Sequence, residues 1–461
     1  MDIRFHNTLG NSKEKFEPIK KGKVLMYNCG PTVYGPQHIG NLSMFVFTDI
    51  LRRTLEYAKF DVKQVINITD FGHLTGDNEG NPDVGEDKMS KGLKKEGLAP
   101  TIPNMRILAE KYAELFFEHL KLLNINTKKT KFPFASDYIK EQIEMIGVLE
   151  TKGFAYDKSD GIYFDTSKFP DYGKLGNIKL EGLEEGARVT KTEKKNPTDF
   201  LLWKKDKKIG WESPWGTGFP GWHIECSAMI VKILGKQIDI HTGGIEHISI
   251  HHNNEIAQAE SATDKSPFVK YWLHRDHLKA DDAKIAKSAG TAIYMEDLLT
   301  HKIHPLSFRY WLLTSHYQTS ANFTWEAVLG SQNAFERLIN TYSELENKDK
   351  SDKEVLIKFE EAIADNLNTS VAIALLQTAR SKSVIEKMDT VLGLNIEKLK
   401  KEMESKISDE ILDLKKERDL ARQEKNWEKS DALRKEIEKE GYILEDKDGI
   451  SKIKKTLAGI V

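Results

Sequence analysis

Residues 24–41 decide the fold that we expect. They begin with the apolar run Val24-Leu25-Met26-Tyr27, continue through Cys29-Gly30-Pro31-Thr32 and end in His38-Ile39-Gly40-Asn41. A strand that passes through a glycine turn into a helix presents backbone N–H groups and a positive helix end to a phosphate. The stretch therefore predicts a βα unit of a nucleotide-binding sheet, with Cys29 at the end of the strand and His38 at the entry of the helix.

The length and composition are those of a multidomain enzyme. The chain has 461 residues, of which 39% are hydrophobic, and a formal net charge of −2. Roughly 150 residues per domain predicts about three domains. No apolar run approaches the ~20 residues of a membrane span, and residues 1–15 are polar. We therefore expect a cytoplasmic protein without a membrane partner, and the charge balance excludes a uniformly basic surface.

Two further strands extend the expected sheet. Apolar residues at helical spacing follow Asn41, which we expect to cap that helix. The β-branched segment 62–68 predicts the second parallel strand, with Asn67, Thr69 and Asp70 at its carboxyl end. The sheet resumes at 238–241 with His241, and Gly243 and Gly244 follow. The pattern favours an α/β fold with a doubly wound, Rossmann-like parallel sheet.

The remaining segments differ in pattern from the sheet. Residues 72–92 are polar and predict a surface insertion, 153–209 alternate in short pieces that predict a small β-rich insert, and the chain past Trp325 is almost entirely helical. We expect five regions: a first half of the sheet domain at 1–130, an inserted domain at 131–214, a second half of the sheet domain at 215–275, a region that carries the loop 284–288 at 276–345, and an all-α region with a small terminal module at 346–461.

A metal-binding constellation is the clearest chemical signal. His251 and Glu255 are four apart on a predicted helix and share a face. With the only two cysteines, Cys29 and Cys226, they form a ligand set that zinc accepts. An arbitrary His/Glu pair is more often a solvated helix surface, and His223 and His252 are rival ligands. Both cysteines, however, lie at predicted strand-to-helix transitions that a doubly wound sheet would gather.

A second constellation lies in the pentapeptide Lys284-Ile285-Ala286-Lys287-Ser288. Two lysines three apart in a loop provide positive charge where a pyrophosphate departs. Alone, the pair is better interpreted as solvated lysines. The segment Lys88-Met89-Ser90-Lys91 is similar, but its position after the second strand favours a solvated helix start.

Together these motifs resemble the two signatures of class I aminoacyl-tRNA synthetases, usually written HIGH and KMSKS. The sequences of several further segments are similar to those of the cysteinyl-tRNA synthetase family, and the resemblance covers nearly the whole chain. Those segments are Cys29 to Tyr34, Asn67-Ile68-Thr69-Asp70, Gly221 to Ser227, His251 to Gln258, Asp199 to Lys204, and Asn426 to Arg434. The chain departs from the signatures at Asn41, Ile285 and Ala286, while both lysines and Ser288 keep their places.

The resemblance implies a cysteine–tRNA ligase with one Zn²⁺ per chain and Mg²⁺ with ATP. It also implies that residues 276–345 contact the tRNA stem and that the helical region 346–461 binds the anticodon. Its implied partners are tRNA(Cys), ATP and L-cysteine, and we expect a monomer. The implied residues fall into four groups, and Cys29, His38, Asn41 and Lys287 each belong to two of them. They are the zinc ligands Cys29, Cys226, His251 and Glu255; the catalytic His38, Asn41, Lys284 and Lys287; the ATP contacts His38, Gly40, Asn41, His241, Gly243, Gly244, Lys287 and Ser288; and the amino-acid pocket of Cys29, Thr69 and Trp222.

Two other functions remain open from the sequence. A cysteine ligase of mycothiol synthesis would share the zinc site and both nucleotide motifs, but it needs no helical region beyond Ser351. A synthetase-like RNA-binding protein with a decayed second motif would lack catalysis. In the helical region, Trp427 offers a surface for base stacking, although a tryptophan packed between helices is the more common arrangement.

Overall fold

The computed structural model describes residues 1–71, 88–178, 193–280, 283–285, 291–345, 352–447 and 450–460. Most of the expected insertion at 72–92 lies outside these ranges. The strands are β1 (Arg4–Asn7), β2 (Ser12–Lys15), β3 (Lys23–Asn28), β4 (Asp61–Ile66), β5 (Thr130–Lys131), β6 (Ala155–Asp157), β7 (Gly161–Phe164), β8 (Phe200–Lys205), β9 (Gly218–Pro220), β10 (Ile238–Gly244), β11 (Val269–Arg275), β12 (Leu278–Ala280), β13 (Ala283–Lys284), β14 (Ala321–Phe323), β15 (Tyr442–Lys447) and β16 (Ile450–Lys455).

The helices cover the sheet and form most of the second half of the chain. They are α1 (Ile39–Tyr57), α2 (Lys88–Lys95), α3 (Ile102–Leu122), α4 (Ile139–Thr151), α5 (Trp222–Ile233), α6 (Glu246–Ser249), α7 (His251–Thr263), α8 (Met295–Thr300), α9 (Pro305–Leu313), α10 (Trp325–Glu344), α11 (Lys353–Ala364), α12 (Thr369–Thr378), α13 (Lys382–Leu392), α14 (Ile396–Met403), α15 (Asp409–Gln423) and α16 (Trp427–Lys439).

The central sheet has five parallel strands in the order β11-β10-β3-β4-β5. The chain moves outward from β3 to β5 on one side and from β10 to β11 on the other. The strand order therefore reverses between β3 and β10, and ligands of doubly wound sheets bind in the crevice at that point. The Rossmann-like fold expected from the sequence is confirmed.

Both faces of this sheet are covered, as parallel sheets require. Successive residues of β3 point to opposite sides, so Met26 belongs to one apolar cluster and Tyr27 to the other. Val62 and Val65 of β4 divide in the same way. The cluster around Tyr27 continues without interruption into α9–α14, and the helical region therefore packs directly on the catalytic core.

The β-rich insert predicted between the two halves is present. β6, β7, β8 and β9 form an antiparallel sheet with its own apolar cluster, which includes Phe164 and Trp203. The last strand ends at Pro220, beyond the expected boundary at 214. The division into domains stays a prediction.

The end of the chain forms a small unit. The helices α15 and α16 pack with the hairpin of β15 and β16 around Ile411, Ile437, Tyr442 and Leu444. Among the described residues, no helix is long and apolar enough to span a bilayer.

The segment that resembles the second motif, Lys88-Met89-Ser90-Lys91, begins α2 as expected. The expectation that it is solvated is wrong in part, because Met89 is fully buried and packs with the core against which α3 lies. Lys91, in contrast, is exposed. Met89 therefore anchors α2 to the apolar core.

A buried ion pair joins the catalytic sheet to the helical region. Arg309 Nη2 of α9 lies 2.6 Å from Asp49 Oδ2 of α1, and both side chains are inaccessible to solvent. The Arg309 guanidinium also donates to the main-chain carbonyls of Leu123 and Leu392. Burial alone would raise the pKa of Asp49, but Arg309 and Arg53 lower it below its usual value.

Asp49→Ala is expected to destabilise the protein by about 3–5 kcal/mol, because it leaves the buried Arg309 without its carboxylate. Glu354→Ala, which breaks an exposed ion pair with Lys358 on α11, is the control and is expected to change little. Since the pKa of Asp49 is lowered by folding, its contribution is complete above about pH 4 and is lost as the pH falls through the folded-state pKa. Urea unfolding at pH 7 and pH 3 measures the free energy of unfolding of each variant. Equal losses of this free energy in Asp49→Ala and Glu354→Ala at pH 7 would contradict the role of Asp49 as the partner of Arg309.

Candidate active site and metal centre

The expected site residues gather at the carboxyl ends of the central strands. Cys29 follows β3 and its amide donates to the carbonyl of Thr242 in β10, so it lies at the point where the strand order reverses. A Cβ on Gly30 would lie 1.6 Å from the carbonyl oxygen of Asn67. Only glycine permits this approach of the turn to the end of β4.

Cys29, Cys226, His251 and Glu255 converge from three parts of the chain. Their ligand atoms all lie within 4.8 Å of one another. A tetrahedral zinc site with bonds of about 2.0–2.3 Å separates its ligand atoms by about 3–4 Å, so small rotations suffice to close the set around one ion. The residues fit a metal ion, and their role as its ligands stays a prediction.

The helices explain how three of these side chains reach the crevice. His251 and Glu255 occupy the first and fifth positions of α7 and share a face, as the spacing predicts. Cys226 is the fifth residue of α5 and not at a strand-to-helix transition, so that expectation is wrong for this cysteine. α5 and α7 pack side by side.

A second group of possible ligands overlaps the first. It consists of Cys29, His241, His252 and Glu255, again within 4.8 Å. His252 Nε2 is 3.4 Å from Cys29 Sγ, and its Nδ1 is 2.7 Å from His274 Nε2. The first group contains both thiols, and thiolates are the softer ligands that zinc favours.

The two thiols have different acidities. A hydrogen bond from Cys29 lowers the pKa of Cys226 to about 6, and a hydrogen bond with His251 acts in the same direction. Burial and the neighbouring Cys226 raise the pKa of Cys29 well above its usual value. One thiolate is therefore available near neutral pH, which is the form that binds a metal.

The carboxylate of Glu255 completes a strongly negative centre. Burial alone would raise its pKa, but His241 and His251 lower it to about 2. Burial would lower the pKa of His251, and the charge of Glu255, 2.8 Å from Nε2, instead raises it to about 10. Glu255 and the protonated His251 therefore form a buried ion pair, and a metal ion bound by His251 would take the place of its proton.

Thr69 and Trp222, the other residues expected at the amino-acid pocket, border this centre. The ring of Trp222 lies 4.3 Å from that of His251. The hydroxyl of Thr69 donates to Glu225 Oε2 at 3.0 Å, and Glu225 precedes the ligand Cys226. Both residues therefore contact neighbours of the metal ligands.

The amino end of α1 lies beside the second motif. His38 caps the helix, and its Nδ1 accepts the amide of Asn41 at 3.2 Å. The expectation that Asn41 is the cap is wrong, because helical geometry begins two residues earlier. Ile285 lies against Gly40, with its Cβ 3.7 Å from the position of a Cβ there. Ile285 of the second motif therefore lies beside the amino end of α1, although the two residues are 245 positions apart in the chain (285 minus 40).

The chain is similar to known proteins over nearly its whole length. A family model described as the class I (C) tRNA synthetase catalytic domain matches residues 15–333. A cysteine–tRNA ligase from Treponema denticola is 40% identical and spans 99% of this chain and 100% of its own length. The chain belongs to the cysteine–tRNA ligase family. Relatives with the same function in their names, from Burkholderia lata (39% identical, 97% of this chain, 95% of its own length) and Thermus thermophilus (37%, 97% and 98%), are similar over the same extent.

Solved structures of the class share the fold. Methionyl-tRNA synthetase of Mycobacterium tuberculosis, in complex with methionyl-adenylate, has a TM-score of 0.55 and 12% identity, and covers 81% of this chain and 88% of its own. At this identity the likeness concerns the fold alone.

Other residues expected to bind ATP differ in their placement. His241 is fully buried, with Nε2 2.9 Å from Glu255 Oε2 and its ring stacked on Trp272. Its side chain therefore faces the ligand cluster, and an ATP contact stays a prediction. Gly243 and Gly244 end β10 at the crevice. Lys284 closes the short strand β13, while Lys287 and Ser288 lie outside the described residues.

Several polar residues of this family member were not expected from the sequence. His274, near the end of β11, forms hydrogen bonds with the ring of His252 and with the hydroxyl of Thr8. These bonds fix the orientation of His252, the second residue of α7. Glu225 is completely buried, and burial raises its pKa well above the usual value. In the sequence, only the position of His274 near the end of an apolar strand could have indicated that it lies at the site.

Proposed function

We propose that this chain activates L-cysteine with ATP to cysteinyl-adenylate and transfers the cysteinyl group to the 3′ end of tRNA(Cys). The observation that carries the proposal is the convergence of Cys29, Cys226, His251 and Glu255 at the switch point of a nucleotide-binding sheet. Relatives named as cysteine–tRNA ligases, similar over the full length, support it. The expected location is the cytoplasm, where tRNA is charged, and the expected state is a monomer.

The activation step requires positioning and charge neutralisation. The carboxylate of cysteine attacks the α-phosphate of ATP, and pyrophosphate leaves. Such phosphoryl chemistry needs no general base on the protein, because the attacking carboxylate is already ionised. The amino end of α1, with His38 and Asn41, faces the crevice and favours phosphate oxygens there.

The departing pyrophosphate carries the developing negative charge. Lys287, assisted by Lys284, supplies a positive charge to it, and Mg²⁺ accompanies ATP. The contact of Ile285 with Gly40 supports this assignment, because it brings the second motif to the helix end that would hold the α- and β-phosphates.

Selection of cysteine over serine requires more than pocket shape, since ordinary contacts separate such isosteres by only about 10–200-fold. We propose Zn²⁺ as the metal, held by Cys29, Cys226, His251 and Glu255. These four residues would hold the ion, and the ion when bound would supply a soft ligand position that a cysteine thiolate occupies far more readily than a serine hydroxyl. Trp222 and Thr69, which border the ligands, enclose the rest of the amino acid.

The reaction is tested by ATP–pyrophosphate exchange on metal-replete protein, with cysteine and with serine. We expect exchange with cysteine only, followed by charging of tRNA(Cys). No exchange with either amino acid would favour the non-catalytic RNA-binding alternative. Exchange without tRNA charging would favour the mycothiol-type cysteine ligase. The helices α11–α16 favour tRNA over an amino-sugar, because a small acceptor needs no such region.

A role of the helical end in tRNA binding gives a separate prediction. Trp427, the first residue of α16, is 58% exposed, so the interpretation as a packed tryptophan is wrong. The neighbouring Lys425 and Lys429 are exposed as well. Stacking on one base contributes about 1–3 kcal/mol, so Trp427→Ala is expected to lower kcat/KM for tRNA charging by about tenfold to a hundredfold.

Pyrophosphate exchange, which needs no tRNA, is expected to be unchanged in that variant. Ile357→Ala removes a similarly exposed apolar side chain from α11 and serves as the control. Equal charging rates for the wild type and Trp427→Ala would contradict this assignment.

A further inference from the structure

Tyr27 of β3 is a buried tyrosine to which the reaction described above gives no role. It is inaccessible to solvent, and its ring meets that of His241 edge to face, with the ring centres 5.1 Å apart. Because side chains alternate along a strand, Tyr27 and Cys29, two positions further on, point to the same side of the sheet. Tyr27 and Cys226 also belong to one apolar cluster. Tyr27 therefore lies beside the candidate metal centre.

The hydroxyl of Tyr27 has an unusual environment. Among the tyrosines that the structure describes, it is the only one whose buried hydroxyl has no oxygen or nitrogen partner. A hydroxyl that is buried without a hydrogen bond is costly, so another acceptor is expected beside it.

The acceptor that this hydroxyl faces is the sulfur of Cys226. Burial raises the pKa of Tyr27 well above its usual value, and the charge of Cys226 and a hydrogen bond with Cys226 raise it further. A hydrogen bond that raises the pKa of a hydroxyl is one in which the hydroxyl donates. The charges of Cys29 and Glu255 act in the same direction. One hydroxyl therefore faces three of the four candidate ligands.

Two other side chains also form hydrogen bonds with Cys226, namely Cys29 and His251. Both belong to the candidate ligand group. A cysteine that binds a metal has lost its proton, and a histidine binds through a nitrogen that carries none. Neither can therefore donate to Cys226 through a ligand atom that binds the same ion. Tyr27 is outside the ligand group and keeps its proton, so its hydrogen bond is compatible with a bound ion.

We propose that the hydroxyl of Tyr27 donates a hydrogen bond to the thiolate of Cys226 in the metal-bound protein, and that this bond positions the sulfur and tunes the ion. Tyr27 is a positioning residue, because it acts on the ion only through Cys226. Hydrogen bonds to metal ligands orient them and adjust the electron density that they donate. A thiolate that accepts a hydrogen bond donates less charge, which leaves the ion a better acceptor for a further thiolate. The inference rests on the metal centre of the proposed function.

The test replaces zinc with cobalt, because the thiolate-to-cobalt charge-transfer band reports on the ligand sulfurs. Tyr27→Phe retains the ring and removes only the hydroxyl. In the full chain loaded with Co²⁺, we expect the band to move to longer wavelength, since the sulfur then donates charge more readily. Competition with a chelator is expected to show Co²⁺ and Zn²⁺ bound about 10–100-fold more weakly. An unshifted band, or affinities equal to those of the wild type, would overturn the proposal.

Tyr271→Phe is the matched control. Tyr271 lies on β11 of the same sheet and is also buried, but its hydroxyl donates to the carbonyl of Lys15 at 2.8 Å. This variant loses a buried hydroxyl that is bonded away from the ligand group, so its band and affinities are expected to equal those of the wild type. An equal shift in both variants would overturn the proposal, because a general effect on the sheet would then explain it.

A second variant decides the matter if Tyr27→Phe does not fold. Fluorotyrosine at position 27 keeps the hydroxyl and makes it more acidic, which strengthens the hydrogen bond, so the band is expected to move to shorter wavelength. An unshifted band, or a movement to longer wavelength, would overturn the proposal. Absence of the band from the cobalt-loaded wild type would overturn the metal centre and this inference together, whereas an unshifted band in Tyr27→Phe would overturn the role of Tyr27 alone.

Discussion

Cys226→Ala is expected to lose its metal ion and cysteine-dependent pyrophosphate exchange together. Cys226 supplies one of the two thiols of the proposed site, and its pKa of about 6 provides the thiolate at neutral pH. Loss of an outer-shell partner alone typically costs about 10–100-fold in metal affinity, and loss of a ligand is expected to cost more. Elemental analysis of the purified variant measures the zinc content, and full occupancy would refute the ligand assignment.

A matched pair of variants separates the two overlapping ligand groups. His251 belongs to the group with both thiols, and its neighbour His252 belongs to the alternative group with His241. His251→Asn is expected to lose most of its zinc, whereas His252→Asn is expected to retain it. Both substitutions lie on the first turn of α7, so a general effect on folding would appear in both. The reverse outcome would assign the ion to the second group.

Lys287→Ala is expected to slow pyrophosphate exchange by about 100–1,000-fold, because it removes a positive charge from the place where negative charge develops. Zinc content is expected to stay unchanged, since the ion and the lysine belong to different parts of the site. Stopped-time exchange assays at saturating cysteine and ATP measure the rate.

The matched control is Lys91→Ala in the segment that resembles the second motif. Lys91 is exposed on α2, and its removal is expected to leave the exchange rate unchanged. A loss of rate for Lys91→Ala as large as that for Lys287→Ala would mean that the wrong segment had been assigned.

The parallel sheet could be predicted because each of its main strands is encoded in a short, continuous segment of the sequence. β3, β4 and β10 are short apolar runs that end in polar or glycine residues, and their strand identity follows from composition. The pairing of His251 with Glu255 depends only on helix periodicity, which the sequence displays directly. The position of Cys29 at the crevice follows from the rule that strand ends meet at one edge, whereas Cys226 lies within α5 and reaches the crevice through the packing of α5 on α7.

The errors concern features that tertiary contacts decide. Helix capping by His38 and not Asn41 depends on where helical geometry begins, which differs by two or three residues from the hydrophobic pattern. The exposure of Trp427 depends on how α15 and α16 pack, and composition does not report it.

The most direct test of the central claim is zinc K-edge X-ray absorption on the zinc-loaded full chain, without amino acid, with cysteine and with serine. The account predicts two sulfur ligands in the free protein, from Cys29 and Cys226, three with cysteine and two with serine. A sulfur number that stays at two when cysteine is bound would contradict the claim that this ion recognises the substrate thiol.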